Sequence, residues 1–130
     1  MVVCAAGVTG CIPRKKPINQ TQRLVSPSGK YVLTMPIEKS RNPQYSDIAV
    51  RKVTIHDTAG NLEYKDEDST MVGNLNVYWA WDQKDRVWVY NSDNGRISRW
   101  EKGNLKWSTT EIAEAEKKEA PDSLLPDYAR

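Results

Sequence analysis

Few residues of this chain have the type and spacing needed for acid–base chemistry. His56 is the single histidine, and Asp57 follows it directly. Consecutive residues of a strand point to opposite faces of a sheet, so Asp57 cannot orient His56 as the carboxylate of a catalytic triad does. His56 is therefore interpreted as a half-exposed structural histidine. The sequence predicts no catalytic residue.

Metal chemistry is not indicated either. Cys4 and Cys11 stand seven residues apart without a second pair, which is not the ligand set of a zinc site. Residues 91–95 lack the acidic start and the closing glutamate of a calcium loop, and are predicted to form a turn. We predict neither a metal nor a cofactor. A pair of carboxylates that hydrolyses glycosides is defined by its separation in space, so a hydrolase remains a third hypothesis.

The amino-terminal stretch from Met1 to Cys11 is continuously apolar and holds both cysteines. Within it, Val8-Thr9-Gly10-Cys11 resembles the lipobox of bacterial lipoproteins, in which an aliphatic residue, a small residue and Gly or Ala precede the acylated cysteine. The resemblance implies that residues 1–10 end a signal peptide, that Cys11 carries the lipid, and that the polar segment 12–22 is a tether. It also implies a location in the bacterial cell envelope or periplasm, with membrane contact only through Cys11.

Two other interpretations of this stretch stay open. It can form an ordinary apolar strand, or Cys4 and Cys11 can form a disulfide that closes a small loop. No segment approaches the roughly 20 apolar residues of a membrane-spanning helix.

A candidate binding surface comes from the segment 75–109, which is rich in Trp and Tyr. With a loop of even length at 82–85, Trp79 lies opposite Trp88, and Trp81 lies opposite Arg86. This pairing predicts one face that carries the candidate binding residues Trp79, Trp81, Arg86, Trp88, Tyr90 and Arg99. The face is either a second buried layer or an exposed platform for a glycan, a peptide or a protein. Burial is the favoured interpretation, because tryptophan usually fills cores.

Turn residues recur about every ten residues through the middle of the chain, a spacing typical of all-β domains. They predict a meander of strands at 76–81, 86–91, 96–101 and 105–109, preceded by strands at 31–37, 47–57 and 62–65 and a loop at 38–46. The alternation of the 47–57 strand slips between Arg51 and Lys52, which indicates a bulge or burial on both faces. Ser108 and Glu111 fit a capping box, so a helix is predicted from Glu111 to Glu119 and is ended by Pro121.

Composition agrees with one small β domain. The 130 residues are 38% apolar and contain no Phe, so the core depends on Val, Ile, Leu, Trp and Tyr. We predict a mainly β fold, an antiparallel meander sheet, small sandwich or partial barrel of about seven or eight strands with a short C-terminal helix. The predicted organisation is an apolar segment and tether at 1–22, an antiparallel β domain at 23–110, and a helix and tail at 111–130.

Charge excludes one class of partner. Nineteen basic and seventeen acidic residues leave a net charge of +2, too balanced for a nucleic-acid groove. The favoured hypothesis is a non-enzymatic, exported or envelope-associated β domain that is lipid-anchored and binds a protein or glycan. The alternative is a structural subunit of a larger assembly or filament, which packs through its apolar N-terminal segment into a neighbour.

Overall fold

The structure, a computed structural model, describes residues 23–73 and 76–124. These ranges contain ten strands: β1 Leu24–Val25, β2 Tyr31–Thr34, β3 Ile37–Lys39, β4 Ala49–Arg51, β5 Thr54–Asp57, β6 Leu62–Lys65, β7 Val77–Trp81, β8 Val87–Asn91, β9 Arg96–Lys102 and β10 Trp107–Glu111. Two short 3-10 helices accompany them, Pro43–Tyr45 and Glu114–Glu119. The predicted segment 1–22 lies outside the described residues.

The strands form two antiparallel sheets of four strands and one separate hairpin. The first sheet has the order β1-β2-β5-β6, the second has the order β10-β9-β8-β7, and β3 pairs with β4. The prediction of a mainly β fold with an antiparallel meander is confirmed, with ten strands in the described ranges instead of seven or eight. Neither four-stranded sheet closes into a barrel within residues 23–73 and 76–124.

The predicted register between β7 and β8 is wrong by one residue. Trp79 pairs with Val89 and not with Trp88, and Trp81 pairs with Val87 and not with Arg86. The reason is the length of the loop, because Asp82 and Arg86 still belong to the ladder and their backbones are joined by a 2.9 Å hydrogen bond. Three residues therefore turn the chain instead of four, and a one-residue slip moves every side chain to the other face.

Residues of both four-stranded sheets enclose the larger core. The first sheet and the turns beside it contribute Leu33, Met35, Val53 and Ile55, and the second sheet contributes Val77, Trp79, Val87, Val89, Trp100 and Trp107. These positions alternate along their strands, which is the pattern of two sheets packed face to face. Tryptophan supplies much of the volume that Phe would fill in another chain.

The predicted strand at 47–57 is interrupted where its alternation slips. It splits into β4 and β5, and between them Lys52 and Val53 leave the ladder. Arg51 N donates to Met71 O at 2.7 Å, and Lys52 N donates to Pro36 O at 2.9 Å, so the kink is held by neighbouring loops. The slip between Arg51 and Lys52 thus marks a change of sheet.

A short C-terminal helix is present, as predicted, but it begins later than predicted. Ser108 and Glu111 do not cap a helix, because β10 continues to Glu111, which pairs with Ser98 of β9. The long β9 offers these residues ladder partners, and the helical turn begins only at Glu114. Residues 112–124, here called the C-terminal strap, then cross the outer face of the second sheet, where Ile112 and Leu124 are buried.

Candidate functional site

The structure divides the predicted aromatic face between two sides of the second sheet. Trp79 faces the core between the sheets and is 1% exposed. Trp81 lies at the rim of that core, where its Nε1 donates to Leu24 O at 2.8 Å. Trp88 and Tyr90 belong to the opposite side of the sheet, with Ile97. The single shared face predicted for these tryptophans is therefore wrong, and the cause is the one-residue change of register.

Trp88 is the centre of the outer face. Its indole is fully buried, and the guanidinium carbons of Arg86 and Arg99 lie 5.8 and 5.4 Å from its ring centroid. Asp82 Oδ2 accepts from Trp88 Nε1 at 2.8 Å and from Arg86 Nε at 2.7 Å. Two cations beside one ring, with a carboxylate that pairs with one of them, form a polar network that is largely closed to solvent.

Asp82 is ionised at the centre of this network. Burial acts to raise the pKa of its carboxyl, but hydrogen bonds from the Trp88 indole and from the backbone and side chain of Arg86 outweigh burial, so the pKa lies below its ordinary value. Asp82 also organises the turn, since Oδ1 accepts from Lys84 N at 2.8 Å.

The C-terminal strap covers the outer face. Leu124 and Ile112 pack in the same cluster as Trp88. Glu116 Oε2 lies 3.8 Å from Arg99, and Glu119 Oε1 lies 4.0 Å from Arg86. These contacts cover the side of the sheet that carries Trp88, in agreement with the favoured interpretation of burial, and they leave Arg99 only 9% exposed.

An open cleft lies instead at one end of the sandwich. Three hairpin turns converge there, those that join β1 to β2, β7 to β8, and β9 to β10. The cleft, here called the end cleft, has a volume of about 680 Å³ and is lined by Lys30, Tyr31, Lys84, Asp85, Arg86, Glu101, Lys102, Gly103 and Asn104. Its lining combines four basic and two acidic side chains.

A contact between two turns fixes the shape of the end cleft. Asp85 accepts hydrogen bonds from Ser28 N, at 3.2 Å, and from Ser28 Oγ. Asp85 has a positive φ of 55°, which closes the three-residue loop after Gln83 and Lys84. The turn of the first sheet is thereby joined to a turn of the second, so the lysines of the two turns sit on a common scaffold.

Tyr31 forms the aromatic base of the end cleft, and Trp81 and Trp107 pack against it from behind the lining. The Tyr31 ring stacks on Trp81 with centroids 6.3 Å apart and meets Trp107 edge-on at 5.2 Å. Lys102 Nζ lies 5.5 Å from the Tyr31 centroid and donates to Glu63 Oε1 at 2.7 Å. That hydrogen bond raises the pKa of Lys102 and lowers the pKa of Glu63. The base is thus packed protein, and the polar turns form the accessible rim.

The end cleft was not predicted from the sequence. Of the predicted binding residues, Arg86 alone lines it. Its sequence signal is one lysine in or beside each of three turns, Lys30, Lys84 and Lys102. That signal has meaning only after the strand order is known, because the sheet topology brings the three turns to one end.

His56 and Asp57, which were considered for acid–base chemistry, have only structural contacts among the described residues. His56 is half-buried in β5 and pairs with Val32. The Asp57 carboxylate accepts hydrogen bonds from the side chain and backbone of Asn61 and from the backbone of Ala59, all within its own turn, and these bonds lower its pKa. Within residues 23–73 and 76–124, no three His, Cys, Asp or Glu side chains cluster as metal ligands. Helices long and apolar enough to cross a membrane do not occur in the same ranges.

Comparison of the chain with protein-family models, curated proteins and solved structures finds no match. Cys4 and Cys11 lie outside the described residues.

Proposed function

We propose that this chain is a non-enzymatic binding module of a bacterial cell envelope, anchored by a lipid on Cys11, and that it recognises its partner with the end cleft. The observation that carries the binding role is the convergence of three turns from both sheets on one polar cleft. Loops positioned by a rigid scaffold are where binding residues concentrate. A protein or a glycan is the class of partner that such a cleft serves.

The path of the chain supports an anchored module. β1 runs from Leu24 toward the turn that carries Lys30, so Arg23, which precedes β1, lies at the end of the strand away from that turn. Residues 12–22 could span at most about 36–40 Å when fully extended. A lipid on Cys11 would then leave the end cleft accessible to a partner.

Mass spectrometry of the protein extracted from bacterial membranes tests the anchor. We expect loss of residues 1–10 and a diacylglycerol thioether on Cys11, because the sequence at 8–11 resembles a lipobox. In Cys11→Ser the thiol is absent, so the variant should keep residues 1–10 and carry no lipid. Cys4→Ser is the matched control and should be processed like the parent chain.

An intact Met1 together with an unmodified Cys11 in the parent chain would contradict the anchor. The same result, with residues 1–10 protected from proteolysis inside an oligomer, would favour the alternative of a structural subunit that packs through its N-terminal segment.

A further inference from the structure

We propose that the end cleft binds an acidic saccharide, with Lys30 and Lys84 holding its anionic group and the acceptors of the rim holding its hydroxyl groups. This assignment specifies the ligand class for the proposed binding role of the end cleft, and it rests on that role. It chooses the glycan over the protein as partner, and it assigns the recognition to residues that the sequence pattern did not single out.

Charge pairing identifies the two lysines. Arg86 is paired with Asp82, and Lys102 is paired with Glu63. Lys30 and Lys84 are exposed and form no ion pair with any residue of 23–73 or 76–124. Glu101 is paired with Arg99 at 3.4 Å, so Asp85 is the one lining carboxylate that forms no ion pair within the same ranges. The two ammonium groups outnumber it, and this excess of positive charge attracts an anion with an attraction that salt screens, because the lysines face water.

The size and polarity of the end cleft favour a small polar ligand. Its volume of about 680 Å³ lies within the roughly 300–1,000 Å³ of small-molecule sites. Its lining is mostly polar, whereas sites for apolar ligands are lined by hydrophobic side chains. One to three sugar rings match both properties.

The rim also separates a sugar from a bare phosphate. Asp85 and Glu101 line the cleft beside the lysines. An ionised carboxylate accepts hydrogen bonds and donates none, so it repels an anion but accepts from hydroxyl groups. The Asn104 amide offers both a donor and an acceptor. A ligand with one or a few negative charges and many hydroxyl groups satisfies this mixture.

A protein partner fits the end cleft less well. Binding energy at protein interfaces is concentrated in aromatic and arginine anchors that enter desolvated pockets, and lysine is depleted there. In the end cleft the Tyr31 ring is already engaged by Trp81 and Lys102, and the arginine is held by Asp82. No apolar anchor position is left among the described lining residues.

Calorimetric titration of the full-length chain at low salt tests the proposal. The probes are trigalacturonate, its methyl ester, inorganic phosphate and a hexaglutamate peptide. We expect trigalacturonate to bind. The ester lacks the anionic groups and phosphate lacks the sugar hydroxyl groups, so each should bind at least about tenfold more weakly. Raising the salt concentration should weaken trigalacturonate binding, because the charges are exposed.

Variants locate the site. The double variant Lys30→Glu/Lys84→Glu should lose at least about tenfold in affinity, and Lys30→Gln/Lys84→Gln should lose less, because it removes attraction without adding repulsion. Lys39→Glu is the matched control, an equally exposed lysine in β3 that does not line the cleft. It should leave binding unchanged. All three variants should unfold at the parental denaturant midpoint, since surface substitutions change stability little.

Each contrary result has its own meaning. Equal binding of the ester, or binding that survives both double variants, overturns the assignment of the two lysines. Binding of hexaglutamate in place of trigalacturonate, lost in the same variants, overturns the saccharide and keeps the proposed binding role. Failure of every probe to bind overturns the proposed ligand class, while the anchor on Cys11 is judged separately by its mass.

Discussion

Replacing Trp88 with Ala is expected to lower the free energy of unfolding by about 3–5 kcal/mol, the range for truncation of a large buried aromatic side chain. Trp88 is fully buried in the cluster that Ile97 of the second sheet and Leu124 of the C-terminal strap share, and the substitution removes its packing there. It also removes the 2.8 Å hydrogen bond that the indole donates to Asp82. Since small domains are stable by about 5–15 kcal/mol, this loss is a large share of the total.

Urea denaturation followed by far-ultraviolet circular dichroism measures this effect without relying on tryptophan emission. Trp79→Ala should cost a similar amount, because Trp79 fills the core between the sheets. Leu105→Ala is the control, since Leu105 is 92% exposed and its truncation should change stability by less than about 0.5 kcal/mol. A loss below about 1 kcal/mol in Trp88→Ala would mean that solvent reaches the indole, and would restore the aromatic platform as a candidate surface.

Replacing Asp82 with Ala is expected to cost about 3–5 kcal/mol, the range for removal of one partner of a buried ion pair. The variant removes the carboxylate that contacts Arg86 Nε at 2.7 Å, and leaves the guanidinium only the more distant Glu119 carboxylate at 4.0 Å. It also frees the Lys84 and Arg86 backbone amides that Asp82 Oδ1 accepts from, and so loosens the turn at the end cleft. Equilibrium unfolding at neutral pH gives the size of the effect.

The effect of Asp82 depends on pH in a defined direction. Its pKa is lower in the folded chain than the ordinary value of about 3.9, so its charge stabilises the fold above that value. This contribution is lost as the pH falls through the ordinary value toward the lowered one. The difference in unfolding free energy between the parent and Asp82→Asn should therefore shrink between about pH 6 and pH 3. A difference that stays constant over this interval would show that the charge of Asp82 does not contribute.

The strands of the meander could be predicted because the turn residues between them are local signals. The strands at 76–81 and 86–91 were predicted to within one residue of β7 and β8. Their register could not be predicted, because it depends on whether three or four residues turn the chain. Asp85 decides this by adopting a positive φ without being Gly, and nothing in the neighbouring sequence distinguishes it from an ordinary turn residue.

In the C-terminal region, a local sequence pattern mispredicts the secondary structure. The capping-box pattern of Ser108 and Glu111 is a local preference, but pairing with β9 as far as Ser98 supplies backbone hydrogen bonds that outweigh it. The position of the C-terminal strap also depends on tertiary contacts, since Leu124 is buried against an outer face of the meander that carries Trp88 and Ile97. Local propensity thus gives way to tertiary contacts at the edge of the sheet.

The end cleft, the candidate functional site, could not be predicted from the sequence. Lys30 and Lys84 are far apart in the sequence, and each lies in an ordinary turn. They share one rim because the first sheet packs on the second and Ser28 donates to Asp85 across the two turns. The prediction that Trp79 and Trp88 share one face was wrong for the opposite reason. The sequence pattern placed them together, but the register between β7 and β8 puts them on opposite sides of the sheet.

Titration of the ¹⁵N-labelled full-length chain with trigalacturonate, followed by NMR, tests most directly whether the end cleft is the binding surface. We predict shifts of the backbone amides of Lys30, Lys84 and Asn104, with the Trp88 indole resonance unchanged, because the strap closes the outer face. Shifts centred on Trp88 and the strap, with the three turns unaffected, would contradict the account.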